Sequence, residues 1–264
     1  MSSSGLKTIN FQIMTNDNKQ QKLSDSTDTA IAYSTCCVSG AVSKDGISLM
    51  HGDSLQALKG YSDNHFDVAI VDPPYGIGAS TKKFHNGKNG KGDSKWRNRN
   101  YEEYSIKEWD KDIPNQKYFN ELFRVSKNQI IWGGNYFTDF LIPKSGWIFW
   151  DKDNGKSSFS DGELAWTSFD KGLRKFTYLW NGFQKKKPEE RFHPTQKPID
   201  LYKFCLENYT NEGDLILDTH LGSGSIAIAC HQMKRKLIAY EIDAEYYEKA
   251  CKRFEEETRQ LALW

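Results

Sequence analysis

The stretch GDLILDTHLGSGSIAIACHQM, residues 213–233, sets an apolar run against Asp218, a loop holding Gly222 and Gly224, and a second apolar run. A short continuous apolar segment closed by turn residues reads as a buried strand, and the run beyond the loop reads as a helix. Glycines at that junction let backbone approach a ligand closely and aim helix N–H groups at it. The next apolar segment, KLIAYEID, ends in Glu241 and Asp243. They lie about 20 residues past the glycines, a spacing at which an acid accepts hydrogen bonds from ribose hydroxyls. The loop is not GxGxxG and carries no phosphate-binding lysine. A nucleoside ligand without a pyrophosphate is therefore favoured over NAD or ATP.

The same alternation extends upstream. ISLMHGD reads as a strand ending at Asp53, and SLQALKGY as a short helix capped by Ser54. FDVAIVD is a second buried strand, ending at Asp72; NQKYFNELFRVS has helical spacing, and QIIWGGNYF, GWIFWDK, ELAWTSF and FTYLWNGF are strand candidates. PIDLYKFCLENYT is a helix started by Pro198, and AEYYEKACKRFEEETRQ a charged terminal helix. Strands alternating with helices, several of them wholly apolar, predict an α/β fold whose sheet is mostly parallel with helices on both faces. Residues 1–45, rich in Ser, Thr, Asn and Gln, are expected to form a polar N-terminal arm, partly disordered, ahead of one domain over 46–257.

Bulk properties narrow the chemistry. The chain has 264 residues and a net charge of +1, so an anionic partner has to be met by a local patch. Five cysteines are scattered without a CxxC pair, against a disulfide framework or a zinc site, and no metal is expected. The stretch AIAYSTCCVSGAV is too short to cross a membrane and lacks signal-peptide flanks, so a cytoplasmic protein without a membrane partner is expected.

VDPPYG, residues 71–76, closes the FDVAI strand with a carboxylate, two prolines and an aromatic ring. Prolines preset the backbone of a tight turn. They also fix a carbonyl beside a carboxylate, which suits a pocket for a flat, amine-bearing ring. VDPPYG, HPTQKP (193–198) and LDTHLGSGS occur in an order that resembles the S-adenosylmethionine-dependent DNA amino-methyltransferases of the permuted β class. There the catalytic half precedes the cofactor loop. The resemblance implies a circularly permuted, Rossmann-like methyltransferase fold. This sequence departs from it at Thr219 and His220, where the family usually has proline and phenylalanine.

The resemblance makes Asp72, Pro73, Pro74 and Tyr75 the catalytic residues. Asp72 and the Pro73 carbonyl accept from the two N–H bonds of an exocyclic amine, turning its lone pair outward, and preorganised dipoles need not reorient as the reaction proceeds. Tyr75 stacks on the extruded base. The cofactor S-adenosylmethionine is assigned to Asp218, His220, Gly222, Gly224, Glu241 and Asp243, with Thr195 and Lys197 toward its carboxylate. Asp53 either meets the cofactor's adenine amine or is an ordinary helix cap.

DNA is the expected partner. A basic loop over 77–100 follows the catalytic motif and carries Lys82, Lys83, Lys88, Lys91, Lys95, Arg97 and Arg99. A second basic run is Lys185–Lys187 with Arg191. Residues 151–192 fall where the family carries its target-recognition region, with Arg174 and Lys175 as candidate base contacts. Aspartate at position 72 leans toward the N6 amine of adenine over the N4 amine of cytosine. An RNA methyltransferase and a non-catalytic DNA-binding protein are the other readings. The resemblance further implies a homodimer in a prokaryotic or phage-type context.

Overall fold

A computed structural model describes residues 38–78, 110–155, 160–180 and 192–260. All of them fall within one compact unit, Tyr33–Trp264. Nine strands form one sheet among the described residues: β1 Val38–Lys44, β2 Ile47–Gly52, β3 Phe66–Val71, β4 Ser126–Trp132, β5 Trp147–Asp151, β6 Gly162–Thr167, β7 Arg174–Thr177, β8 Leu215–Asp218 and β9 Lys236–Glu241. Their spatial order is β1-β2-β9-β8-β3-β4-β6-β5-β7.

The strands β2, β9, β8, β3 and β4 are mutually parallel, as their apolar runs require. Three antiparallel pairings, β1 with β2, β4 with β6 and β5 with β6, extend this core on both sides, so the sheet is mixed. The strand β1 lies inside the stretch expected to be a polar arm. Its residues, VSGAVSK, are small and half polar because an edge strand has only one partner and needs little apolar surface.

Five α-helices accompany the strands among the described residues: α1 Ser54–Leu58, α2 Gln116–Val125, α3 Ile199–Tyr209, α4 Ser225–Gln232 and α5 Ala244–Gln260. One face of the sheet, with Leu49, Val68, Ile130, Ile216 and Leu237, packs on α3, α4 and α5 through Leu201, Leu206, Ile226 and Phe254. The alternate strand residues Ala69, Val71, Ile131 and Leu217 are also buried, as are Leu58, Phe119 and Leu122 of α1 and α2. Each such aliphatic or aromatic side chain contributes about 1.5–3 kcal/mol when fully buried. Tyr118, Phe119, Leu122 and Val125 make the buried stripe of α2, which is capped by the Asn115 side chain accepting from Lys117 and Tyr118 N–H.

Helix α1 corrects a sequence expectation. Its cap is Asp53, whose Oδ1 accepts from the N–H groups of Leu55 and Gln56, and Ser54 is the first helical residue. The carboxylate one position earlier reaches the N2 and N3 donors that the serine, already helical, cannot.

The connections place the site. From β3 the chain crosses through α2 to β4 on one side; from β8 it crosses through α4 to β9 on the other. Neighbouring parallel strands whose crossovers diverge leave a crevice beyond their C-terminal ends, where α/β folds bind ligands. This is a permuted Rossmann-like α/β arrangement, with the strand bearing VDPPYG ahead of the strand bearing the glycine loop.

Candidate active site

Four consecutive parallel strands deliver an acid to that crevice. Asp53 follows β2, Glu241 ends β9, Asp218 ends β8 and Asp72 follows β3. The β2–β9 register pairs His51 with Glu241, so the first two acids stand on adjoining strand tips.

The glycine loop is held by its own acid. Glu241 accepts from Gly222 N–H at 2.8 Å through one oxygen and from Asp243 N–H at 2.9 Å through the other. Gly222 (φ +53°) and Gly224 (φ +74°) occupy the left-handed region, where a side chain adds strain. Below the loop, the buried Arg253 of α5 donates to the Ser223 carbonyl and the Ser225 hydroxyl, both at 2.9 Å. Asp243 caps α5, accepting from Tyr246 N–H at 3.1 Å.

Burial pushes the Asp218 carboxyl up to about 8, with Asp72 and Glu241 adding to the effect against the His220 N–H that it accepts. Burial likewise lowers His220 to about 4, so its imidazole is neutral near pH 7. Its Nδ1 lies 2.9 Å from the Thr219 hydroxyl, which is 2.6 Å from the Tyr118 hydroxyl of α2. The two positions that depart from the family pattern thus join one hydrogen-bonded chain.

The catalytic-motif candidates lie at the start of an ionic row. Tyr75 donates its hydroxyl proton to Asp72 Oδ1 at 2.6 Å, and Lys197 Nζ donates to Asp72 Oδ2 at 2.5 Å and to the Tyr75 oxygen at 3.1 Å. Beyond Lys197 stands Glu163 of β6, with Oε2 at 3.2 Å, and beyond that Lys152, 2.5 Å from Glu163 Oε1. Burial raises Asp72 above the usual carboxylate range while Lys197 opposes it. For Glu163 burial also pushes upward, but the ammoniums of Lys197 and Lys152 outweigh it and hold the carboxyl at about 2. Burial, with the charge of Asp72, keeps Tyr75 protonated well past its ordinary range, so it remains a donor.

Tyr75 stacks on Tyr136 with centroids 5.0 Å apart and planes 15° from parallel. Beneath it passes Gly133 at φ +70°, where a Cβ would come within 2.2 Å of the Tyr75 ring. The motif's exit is pinned by Asp110, whose carboxylate accepts from Gly76 N–H at 3.0 Å.

Several sequence expectations are placed differently. Lys197, expected at the cofactor's carboxylate, pairs within the chain with Asp72 and Glu163. Thr195 directs its hydroxyl to His193 Nδ1 at 3.2 Å. His193 in turn lies 3.6 Å from where a Gly222 Cβ would sit, so this segment does border the loop. Arg174 and Lys175 lie on edge strand β7; Arg174 is exposed, and Lys175 pairs with Asp151 at 2.6 Å. Lys82, Lys83, Lys88, Lys91, Lys95, Arg97, Arg99, Lys185–Lys187 and Arg191 lie outside the described residues. Glu163, Lys152 and Tyr136 were not singled out from sequence: a lone charge in or after a strand, or one more tyrosine, carries no motif.

The crevice fits an S-adenosyl group on its donor set. The Glu241 carboxylate keeps acceptor capacity for a ribose diol after binding two backbone N–H groups. No group of three His, Cys, Asp or Glu side chains among the described residues is arranged to hold a metal ion. None of the described helices is long and apolar enough to cross a membrane.

The profile of the DNA methylase family matches residues 150–252. Type II methyltransferase M.HpaI of Haemophilus parainfluenzae is 25% identical over 252 residues, 79% of this chain and 74% of that one. Type II methyltransferase M2.MboI of Moraxella bovis is 26% identical over 256 residues, 81% of this chain and 89% of that one. Among solved structures, the cytosine-N4-specific PvuII DNA methyltransferase superposes with a TM-score of 0.52 at 14% identity, covering 81% of this chain and 90% of that one, a likeness of fold.

Proposed function

We propose that this chain is an S-adenosylmethionine-dependent DNA amino-methyltransferase of the permuted class and that it methylates the N6 amine of an adenine extruded from duplex DNA. The observation that carries the reading is the elbow of Asp72, Pro73, Pro74 and Tyr75 set where the β3 and β8 crossovers diverge, one strand from the Glu241-bound glycine loop. S-adenosylmethionine supplies a methyl group on a sulfonium, held by Glu241, the Gly222–Gly224 loop and Asp53.

The chain's own residues do the rest by positioning. Asp72 accepts one N–H of the target amine and the Pro73 carbonyl the other, so the nitrogen lone pair is freed from the ring and points outward. Both Asp72 oxygens are already ordered by Tyr75 and Lys197, which fixes the direction from which the amine is received. Tyr75 offers its ring to the base, and orientation of this kind replaces a covalent enzyme intermediate. The three cysteines among the described residues, Cys205, Cys230 and Cys251, are buried, and burial raises their thiols, which suits no nucleophile.

Aspartate at position 72 supports adenine as the target. The second reading is methylation of cytosine N4, which uses the same two acceptors. Incubating the protein with plasmid DNA and methyl-labelled cofactor, then digesting to nucleosides for mass spectrometry, separates them. N6-methyladenine is expected; N4-methylcytosine replaces the first reading with the second, and unlabelled DNA refutes both. DNA contacts are proposed for the basic positions after the motif and for Arg174 and Lys175. A homodimer, in a prokaryotic or phage setting, completes the reading, and sedimentation equilibrium tests the assembly.

A further inference from the structure

The ionic row Lys152–Glu163–Lys197–Asp72 is fed by β3, β6, the residue after β5 and the turn before α3, four separate parts of the chain. Its signs alternate, and its two ammoniums and two carboxylates sum to zero. Lys197 is 3% exposed, and its Nζ also lies 5.5 Å from the Tyr75 ring centre and 5.6 Å from that of Trp132. Glu163 Oε2 stands at ion-pair distance from Lys197 yet has no aligned hydrogen-bond donor among the described residues. One oxygen of Glu163 is thus clamped by Lys152 while the other acts on Lys197 chiefly by its charge.

Charge decides what such a row does to a methyl transfer. The target nitrogen's lone pair forms the N–C bond as the C–S bond breaks, and the electron pair of that bond stays on sulfur. Positive charge therefore moves from sulfur to nitrogen, and the surplus proton then leaves the nitrogen for Asp72 and solvent. An ammonium 2.5 Å from Asp72 opposes both the incoming sulfonium and the cationic amine unless a second anion cancels it. Glu163 is that anion.

We propose that Glu163 is a positioning residue of the transfer: it holds Lys197 against Asp72 and cancels the lysine's charge, so the site stays electrically neutral where the amine turns cationic. The proposal rests on the methyltransferase reading above and names a determinant of that reaction which no sequence motif marks.

The test compares Glu163→Gln, which keeps shape and drops the charge, with Glu163→Asp and Lys152→Gln in the full chain. Two quantities are measured: kcat against KM for DNA, and the calorimetric affinity ratio of S-adenosylmethionine to S-adenosylhomocysteine, which differ by the sulfonium charge. Glu163→Gln is expected to lower kcat by about tenfold or more with KM for DNA within about threefold. It should also shift the affinity ratio against the charged ligand by roughly three- to tenfold. Glu163→Asp should restore the ratio. Lys152→Gln, which leaves the row net negative, should move the ratio in the opposite direction, a result that a folding defect does not produce. An unchanged ratio in both charge-altering variants overturns the proposal, whatever happens to kcat. Methylation by the wild-type protein with an unaffected Glu163→Gln overturns this inference alone. A wild-type protein that methylates no DNA overturns the functional reading and this inference with it.

Discussion

Gly133 is the position where one added carbon tests both the fold and the site. Replacing it by alanine places a Cβ within 2.2 Å of one Tyr75 ring carbon and 2.6 Å of two others, far inside van der Waals contact. The backbone there, at φ +70°, already disfavours a side chain by roughly 1 kcal/mol. The ring has to move by more than an ångström. That sacrifices the 2.6 Å hydrogen bond from Tyr75 to Asp72, about 1–2 kcal/mol at a buried charged acceptor, and part of the Tyr136 stack, about 0.5–1 kcal/mol. Gly133→Ala is therefore expected to lose about 3 kcal/mol, a fall in Tm of roughly 6–12 °C for a domain of this size. Methyl transfer should fall with it, because Asp72 and Tyr75 are no longer ordered. Gly172→Ala is the control: a Cβ there meets nothing within 4 Å, and the change should stay within about 0.5 kcal/mol. Calorimetric melting and a labelled-methyl assay on the two variants read both effects. A Gly133→Ala protein that melts within a degree of wild type and methylates at the wild-type rate refutes the close packing of Tyr75 on Gly133.

Other consequences follow from the same geometry. Asp72→Ala should abolish methyl transfer while calorimetry finds cofactor affinity within a few-fold, since its proposed role is toward the target amine; equal loss of both would mean that it faces the cofactor instead. Arg253→Ala removes two 2.9 Å hydrogen bonds that hold the glycine loop from below, so cofactor affinity should drop by about tenfold with Tm lowered by only a few degrees. Asp218 binds its proton more tightly when folded, up to about 8 against about 4 unfolded. Stability from this group is full below about pH 4 and is lost as pH rises through about 8. Asp218→Asn, which cannot ionise, should flatten the decline of Tm across that window; an unchanged slope would show that Asp72 or Glu241 carries it.

The parallel core was legible because strands buried on both faces announce themselves as apolar runs, and each of the five that ends near the crevice was readable from its own residues. Edges were not. VSGAVSK resembles a polar arm because β1 has one neighbour and small side chains, and the sheet order beyond β4 is set by long-range pairing that no local pattern encodes. Among site residues, VDPPYG and the glycine loop could be quoted directly, since both depend on unusual backbone chemistry. Glu163 could not, because its significance arises only when β6 pairs beside β4 and brings its carboxylate to Lys197. Lys197 was visible in its motif, but its pairing with Asp72 and Glu163 was not: a lysine in a motif says that an anion is near, not which one.

The ion pair between Lys197 and Asp72 spans 125 positions of the chain. Drawing so distant a pair together costs about 4 kcal/mol in loop closure alone, which the pairing of β3 with β8 and the rest of the sheet has to offset. A nascent or partly unfolded polypeptide therefore holds no half-working version of the reactive centre. Lysine and carboxylate are neighbours only in the completed sheet, and a chain interrupted between them loses the pair.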